Sequence, residues 1–318
     1  MNRSASTAAM PAELSIAGGV LLMLSLSLLW GSNWPAMKAA VAEIPILTFR
    51  VICLYGGALG MFLLARLGGL SFKVKREEWI PLLIVSLFNI TIWHICSAAG
   101  LKYVTAGRAA IIAYTMPLWA TLLSVYLLNE KLRASTILGL VVGLMGMAAL
   151  LLPGWDQVMA DPRGPIFMLV AAIAWATGTI GLKYCRFTMP VVSLVGWQLI
   201  LGGIPVLIAA PIFDRGVDPA SWSVNAWLGT GYTVVVAMVY CHWAWFKLVR
   251  SFSAVTVSIN SLAIPVVGVI SGALVLGESI GPDVIAGLGL VILAQFLVLV
   301  WPALARSRDR NRLPPIPD

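Results

Sequence analysis

Charge is the first thing this chain lacks. Only 11% of its 318 residues are Asp, Glu, Lys or Arg, against about 25% in a soluble globular domain. A solvated surface of ordinary size is therefore excluded. The 13 carboxylates avoid the interiors of the long apolar runs. A paired-carboxylate or nucleophile–base site at mid-membrane depth has no material to build on, and this argues against an intramembrane enzyme. Histidine is scarce as well: His94 and His242 are the only two. There is no H-E-x-x-H, and two imidazoles do not complete a zinc site. Cys53, Cys96, Cys185 and Cys241 form no C-x-x-C pair and read as small apolar residues. No G-x-x-x-x-G-K-[ST] occurs, which excludes ATP-driven pumping by this chain alone. Neither a metal nor a cofactor is expected.

Hydrophobic residues are abundant, at 60% with a mean hydropathy of +0.94. They fall into ten runs, near residues 16–38, 44–65, 79–99, 104–127, 135–152, 164–185, 190–212, 222–247, 253–276 and 281–302. Each is close to the roughly 20 residues a helix needs to cross a bilayer. The runs are continuous rather than alternating, so they read as helices and not barrel strands. The first is long enough to span and leads straight into a second, unlike a cleaved signal peptide. The gaps are too short for a soluble domain.

The net charge of +8 does not call for nucleic acid, because the basic residues mark topology. One set of gaps and tails holds fifteen Lys and Arg, among them Arg66, Lys73, Lys75, Lys131, Lys183 and Arg306; the alternate set holds five, Lys38, Lys102, Arg108, Arg163 and Arg215. Basic residues accumulate on the cytoplasmic side. Both termini are therefore expected in the cytoplasm.

The second half repeats the first. At a shift of 145, Trp30 falls on Trp175, Lys38 on Lys183 and Pro45 on Pro190. At a shift of 148, Trp79 falls on Trp227, His94 on His242, Pro117 on Pro265, Glu130 on Glu278 and Gly139 on Gly287. Five helices is an odd number, so the halves enter the membrane in opposite senses. The predicted fold is all-α and polytopic: ten transmembrane helices as two inverted five-helix repeats. Inverted repeats underlie many secondary transporters, with the substrate near mid-membrane between them. The expected organisation is an N-terminal cytoplasmic tail (1–15), a first repeat (16–152), an extracytoplasmic linker (153–163), a second repeat (164–302) and a basic cytoplasmic tail (303–318).

The segment Trp30-Gly31-Ser32-Asn33-Trp34-Pro35-Ala36-Met37-Lys38 resembles the first-helix signature of the drug/metabolite transporter superfamily, EamA branch. Pro45 with Phe49-Arg50, and Pro117 followed by Asn129-Glu130-Lys131-Leu132, are similar to that family's pattern. Pro265 and Gly277-Glu278-Ser279 repeat it more loosely. The resemblance covers about residues 16–302. It implies a basket of helices around a central cavity, walled by helices one to four and six to nine, with five and ten packed at the side. It also implies transport of amino acids, other metabolites or drugs, often outward. Trp175-Ala176-Thr177-Gly178-Thr179 departs from it in lacking a counterpart of Asn33.

The candidate substrate contacts are Trp30, Asn33, Trp93, His94, Tyr114, Trp119, Trp175, Thr179, Ser258 and Ser261. An intramembrane Asn must find a partner, so Asn33 is expected to face inward; helix–helix contact is the other reading. Pro117 and Pro265 free a carbonyl one turn back and allow kinks, which makes them candidate gates. His94 and His242 read either as coupling or substrate-contacting imidazoles or as neutral helix–helix links. Their positions, about 7–8 Å inside opposite faces at 1.5 Å per residue, suit two separate gates. Arg50 is expected to start helix two near the outer face and snorkel, either attracting a carboxylate or anchoring the helix. Glu130 and Glu278 are placed at helix ends outside the pathway. Gly139-x-x-x-Gly143 and Gly268-x-x-x-Gly272 permit close packing, within the chain or in a homodimer.

The expected function is alternating-access export of amino acids, hydrophobic or aromatic ones favoured because rings stack on flat groups and attract ammonium groups. The expected partners are a small-molecule substrate and the lipid bilayer, in the cytoplasmic membrane, with the chain a monomer or a homodimer. Another metabolite or drug class is the alternative; a channel or receptor is a remote one.

Overall fold

A computed structural model describes residues 16–128, 134–151, 161–251 and 254–301. All regular structure among them is helical. With no water in a bilayer core, a single helix satisfies its own backbone polar groups, and this sequence takes that solution ten times.

Helix α1 comes in two pieces, Ile16–Gly31 and Asn33–Glu43. Helix α2 is Ile46–Leu67. Helix α3 begins in a tight turn at Arg76–Glu78, continues as Trp79–Ser86, widens to π geometry over Leu87–Ile92, and resumes at Trp93–Leu101. Helix α4 is split into Ala106–Ala113 and Met116–Leu128. Helix α5 is Ala134–Leu151, α6 Arg163–Cys185 and α7 Val191–Phe213. Helix α8 runs Val224–Gly231, widens over Tyr232–Cys241, and resumes at His242–Ser251. Helix α9 is Ala254–Leu276; α10 is Pro282–Gln295 with a wide last turn, Phe296–Val300. By length and hydropathy, α1–α4 and α6–α8 contain seven full spans, and Ile137–Leu150, Ala263–Leu276 and Pro282–Val298 are shorter apolar stretches.

The halves are related by exchange. Helix α2 packs on α7, α5 on α10 and α4 on α9; α3 packs on α6 as α8 does on α1, and α4 packs on α6 as α9 does on α1. Replacing each helix by the one five places away leaves this set unchanged. Pro45 and Pro190, at matching positions, both stand just before their helices. A proline there loses no helical hydrogen bond.

The outward faces are apolar: Leu21, Leu24 and Leu28 of α1 are exposed at helical spacing. Close approach inside the bundle is made by small residues. A Cβ on Gly139 would meet Val298 Cγ2 at 2.5 Å, and one on Gly143 would meet Leu118 Cδ1 at 2.1 Å. One on Gly268 would meet Ala110 at 2.8 Å. Both small-residue motifs thus pack within the chain.

The two prolines do not behave as a pair. Around Pro117 the helix is interrupted at Tyr114–Thr115, and the proline opens the second piece. Pro265 lies inside an unbroken α9. The expected matched kinks are one break and one continuous helix.

Carboxylates tie helix starts of one half to the other. Glu43 accepts from Ser223 N at 2.7 Å and Oγ at 2.6 Å. At the opposite end of the bundle, Glu78 accepts from Thr188 N at 2.9 Å and Oγ1 at 2.8 Å. Asp214 accepts from Thr48 N at 2.7 Å. Glu278, expected only as a helix-end residue, accepts from Ala106 N at 2.6 Å and Gly107 N at 3.1 Å and pairs with Lys38 at 3.6 Å. Each carboxylate sits on orphan N–H groups at or just before a helix N-terminus, where the helix dipole also favours it. Glu130, the partner of Glu278 in the repeat, lies outside the described residues.

Candidate functional site

A cavity of about 120 Å³ lies between the halves. One water needs about 10–15 Å³, so the cavity has room for a ligand of several heavy atoms. Its lining comes from α1, α2, α3, α4, α6, α8 and α9. Among the described residues, none comes from α5, α7 or α10.

Two aromatic groups face each other across the symmetric joints. At the α1–α8 joint, Trp30 contacts His242 at 5.5 Å and Trp245 at 6.0 Å between ring centroids. At the α3–α6 joint, Trp93 contacts Trp175 at 5.1 Å. Each joint carries a wide π segment on its long partner helix, one turn before the site. Leu87–Ile92 precedes Trp93 and His94, and Tyr232–Cys241 precedes His242. Such insertions rotate the following side chains and recur at functional sites.

Of the sequence candidates, Trp30, Asn33, Trp93, His94, Tyr114, Trp175 and His242 line the cavity. Trp119 does not; its Nε1 donates to Thr115 Oγ1 at 3.1 Å. Thr179 is exposed and does not line the cavity. The i, i+4 spacing from Trp175 places it on roughly the same face, but Thr179 is a full turn beyond the cavity. The side chains of Ser258 and Ser261 lie outside the described residues. Both histidines line this one cavity. Wide turns, in which the rise per residue departs from that of a regular α-helix, precede both of them in α3 and α8.

The two imidazoles differ. Nδ1 of His242 lies 2.9 Å from the Ala237 carbonyl. His94 is 3% exposed, and neither ring nitrogen has a hydrogen-bond partner. Asn33 accepts from Thr233 Oγ1 at 3.0 Å, so this candidate lines the cavity and links helices at once.

Arg50 is the residue that sequence reasoning misplaced. It does not snorkel at an outer face. It sits one turn into α2, 1% exposed, and lines the cavity. Its Nε donates to the His94 carbonyl at 2.6 Å, and Nη2 to Ser97 Oγ and Met37 Sδ, both at 2.9 Å. Its guanidinium also lies 5.1 Å from the Phe49 ring centroid. No carboxylate pairs with it among the described residues. Its position next to Phe49 in an apolar run was the available signal: among the 21 Lys and Arg, it alone belongs to no gap or tail.

Among the described residues, no group of three or more His, Cys, Asp or Glu is placed to hold a metal.

The comparisons agree with this architecture. The family model for the EamA-like transporter family matches residues 17–152 and again 162–300. The Bacillus subtilis protein "Uncharacterized transporter YoaV" is 29% identical over 289 residues, 87% of this chain and 95% of that one. "Uncharacterized transporter YvbV" of the same organism is 30% identical over 285 residues, 87% and 90% of the two chains. The Escherichia coli protein "Uncharacterized inner membrane transporter YedA" is 27% identical over 281 residues, 87% and 89%. A solved structure at 17% identity shares the fold, with a TM-score of 0.64 over 93% of this chain and 100% of the other. With two family domains, ten helices and a cavity between the halves, this chain is a multi-pass membrane transporter belonging to the EamA-like family of the drug/metabolite transporter superfamily.

Proposed function

We propose that this transporter exports amino acids, hydrophobic or aromatic ones above all, across the cytoplasmic membrane by alternating access. The observation that carries the reading is the aromatic box: Trp30 and Trp245 on one joint, Trp93 and Trp175 on the other, around a cavity of metabolite size. Ring faces pack against an apolar or aromatic side chain and attract an ammonium group. Because the box is built from joints that exchange under the repeat, swapping the conformations of the halves exposes the same box to the other side. Residues 16–152 and 164–302 are the two moving units in this reading. Residues 1–15 and 303–318 are cytoplasmic tails in it, and 153–163 is the extracytoplasmic linker. One chain suffices, since both small-residue motifs pack internally.

The test is counterflow in reconstituted vesicles preloaded with unlabelled phenylalanine, tryptophan, leucine or alanine. Saturable uptake of the labelled species, accelerated by the same amino acid inside, is expected for the aromatic and branched members. Movement of none of them sinks the amino-acid reading. A reporter fused at Lys183 is expected to read cytoplasmic and one at Asp156 outside; the reverse at both overturns the orientation.

A further inference from the structure

We infer that Arg50, with His94 beside it, is the receptor for a carboxylate on the transported molecule. The inference rests on the cavity being the transport site. It concerns which part of the ligand is recognised.

Arg50 carries a full charge in a buried position and always keeps it. A buried charge is held by pairing and by hydrogen bonds; an unpaired one is expensive. Here the acceptors are a carbonyl, a hydroxyl and a thioether sulfur. They position the group through Nε and Nη2 and neutralise none of its charge, and no contact among the described residues claims Nη1. Met, Ser and a backbone carbonyl hold the guanidinium at the cavity wall with its charge uncompensated. An incoming carboxylate supplies what is missing. Charge-assisted hydrogen bonds to Arg are stronger than neutral ones and favour planar, bidentate anions.

A second observation points the same way independently. His94 has its backbone carbonyl on Arg50 and its ring in the cavity wall, buried, with both nitrogens unpartnered. Buried polar groups of this kind are rare in proteins. One ring nitrogen carries a proton in the neutral form and donates to an acceptor brought by a ligand. Cation and donor come from adjacent points on α2 and α3, so one anionic group reaches both.

The opposite half offers no equivalent. At the 145 shift Arg50 falls on Val195, and α7 contains no Lys or Arg. Trp245 stands where the second repeat matches Ser97. The carboxylate end of the ligand is thus fixed against the first repeat, and the apolar end lies toward Trp30, Trp175 and Trp245. An ammonium group meets no carboxylate among the described lining residues; away from Arg50 and its neighbours Ser97 and His94 it has ring faces, Asn33 and Tyr114. The carboxylate is therefore the group that cannot be removed, and the amine is optional.

The experiment is binding to purified protein, by calorimetry and ligand-induced thermal shift, of four matched probes: phenylalanine, 3-phenylpropionate, phenethylamine and phenylalaninamide. Leucine and its three counterparts form a second set. The two acids of a set are expected to bind, and the amine and amide to bind at least about 10-fold more weakly. Arg50→Gln is expected to weaken acid binding about 10- to 100-fold. His94→Gln keeps a donor and is expected to weaken it less. Should Arg50→Gln fail to fold, Arg50→Lys and the probe sets on the wild type carry the test. Equal binding of acid, amide and amine overturns the carboxylate receptor and leaves the amino-acid reading standing. Binding of 3-phenylpropionate without phenylalanine does the reverse. Binding of no acid in either set overturns both.

Discussion

The two repeats share a backbone plan and differ in where they keep their polar groups. At the α1–α8 joint the asparagine is Asn33 on α1, which lines the cavity and accepts from Thr233. At the matching α6–α3 joint its place is taken by Gly178, and Asn89 comes from α3 to fill the space. The cation is Arg50 in one half and Val195 in the other. His94 is unpartnered while His242 is tied to Ala237. Alternating access asks for similar packing, so that each half can take the other's conformation. Recognition asks for a fixed set of contacts around one ligand. The halves are alike in packing joints and unlike in polar chemistry, a division that suits the alternating access proposed above.

The largest effect is expected where packing and chemistry collide. A Cβ on Gly178 would stand 1.7 Å from Asn89 Oδ1 and 3.0 Å from Asn89 N. Gly178→Ala must displace either that side chain or α3, and overpacking of this kind costs about 1–3 kcal/mol. A marked loss of thermal stability in detergent is expected, with recovery in Gly178→Ala/Asn89→Ala. Asn33→Ala, the counterpart change, only removes a hydrogen bond and is expected to cost about 1 kcal/mol. Equal losses at both positions would mean that the joints are not organised differently.

Most of this fold was legible in the sequence because the bilayer imposes it: runs of about twenty apolar residues, and a repeat. The site was legible where side-chain type alone carries the message, as at Trp30, Trp93 and Trp175. It was misread where position depends on irregular backbone. The break at Ser32, the split at Tyr114–Thr115 and the wide turns before His94 and His242 leave no mark in hydropathy. They decide which faces meet, so Thr179 and Trp119 fell outside the cavity and the histidines fell within one. Arg50 was misplaced by a rule about lone arginines at span ends. Its burial comes from Ser97, Met37 and the His94 carbonyl, three partners on two other helices.

A smaller effect is expected at the ends of the bundle. Glu43 on Ser223 and Glu78 on Thr188 are matching joints at opposite ends, and at the 145 shift Glu43 falls on Thr188. Opening a cavity to one side loosens the joint at that side. Glu43→Gln and Glu78→Gln are therefore expected to shift access in opposite directions. The measurement is the labelling rate of a cysteine placed at Ala237 in a cysteine-free background, from each side of oriented vesicles. Glu278→Gln weakens the contacts at Ala106, Gly107 and Lys38 and is expected to act in the sense of Glu43→Gln, more strongly. Shifts in the same direction for Glu43→Gln and Glu78→Gln would remove the idea of opposed joints.

The smallest difference, and the sharpest comparison, lies between the histidines. His242→Gln keeps an amide that can donate to the Ala237 carbonyl, and the Trp30 ring still has Trp245 to pack on. Its effect on ligand affinity is expected to be under about threefold, since the lost contact is one ring edge. His94 spends neither ring nitrogen on the protein, so the hydrogen-bonding capacity of its ring is left for a ligand. His94→Gln is expected to leave thermal stability without ligand nearly unchanged and to reduce the stabilisation by 3-phenylpropionate. That split, with folding untouched and binding impaired, separates a ligand donor from a packing residue. The reverse split, with unliganded stability lost and the ligand shift retained, would make His94 the packing residue and return the two histidines to equivalence.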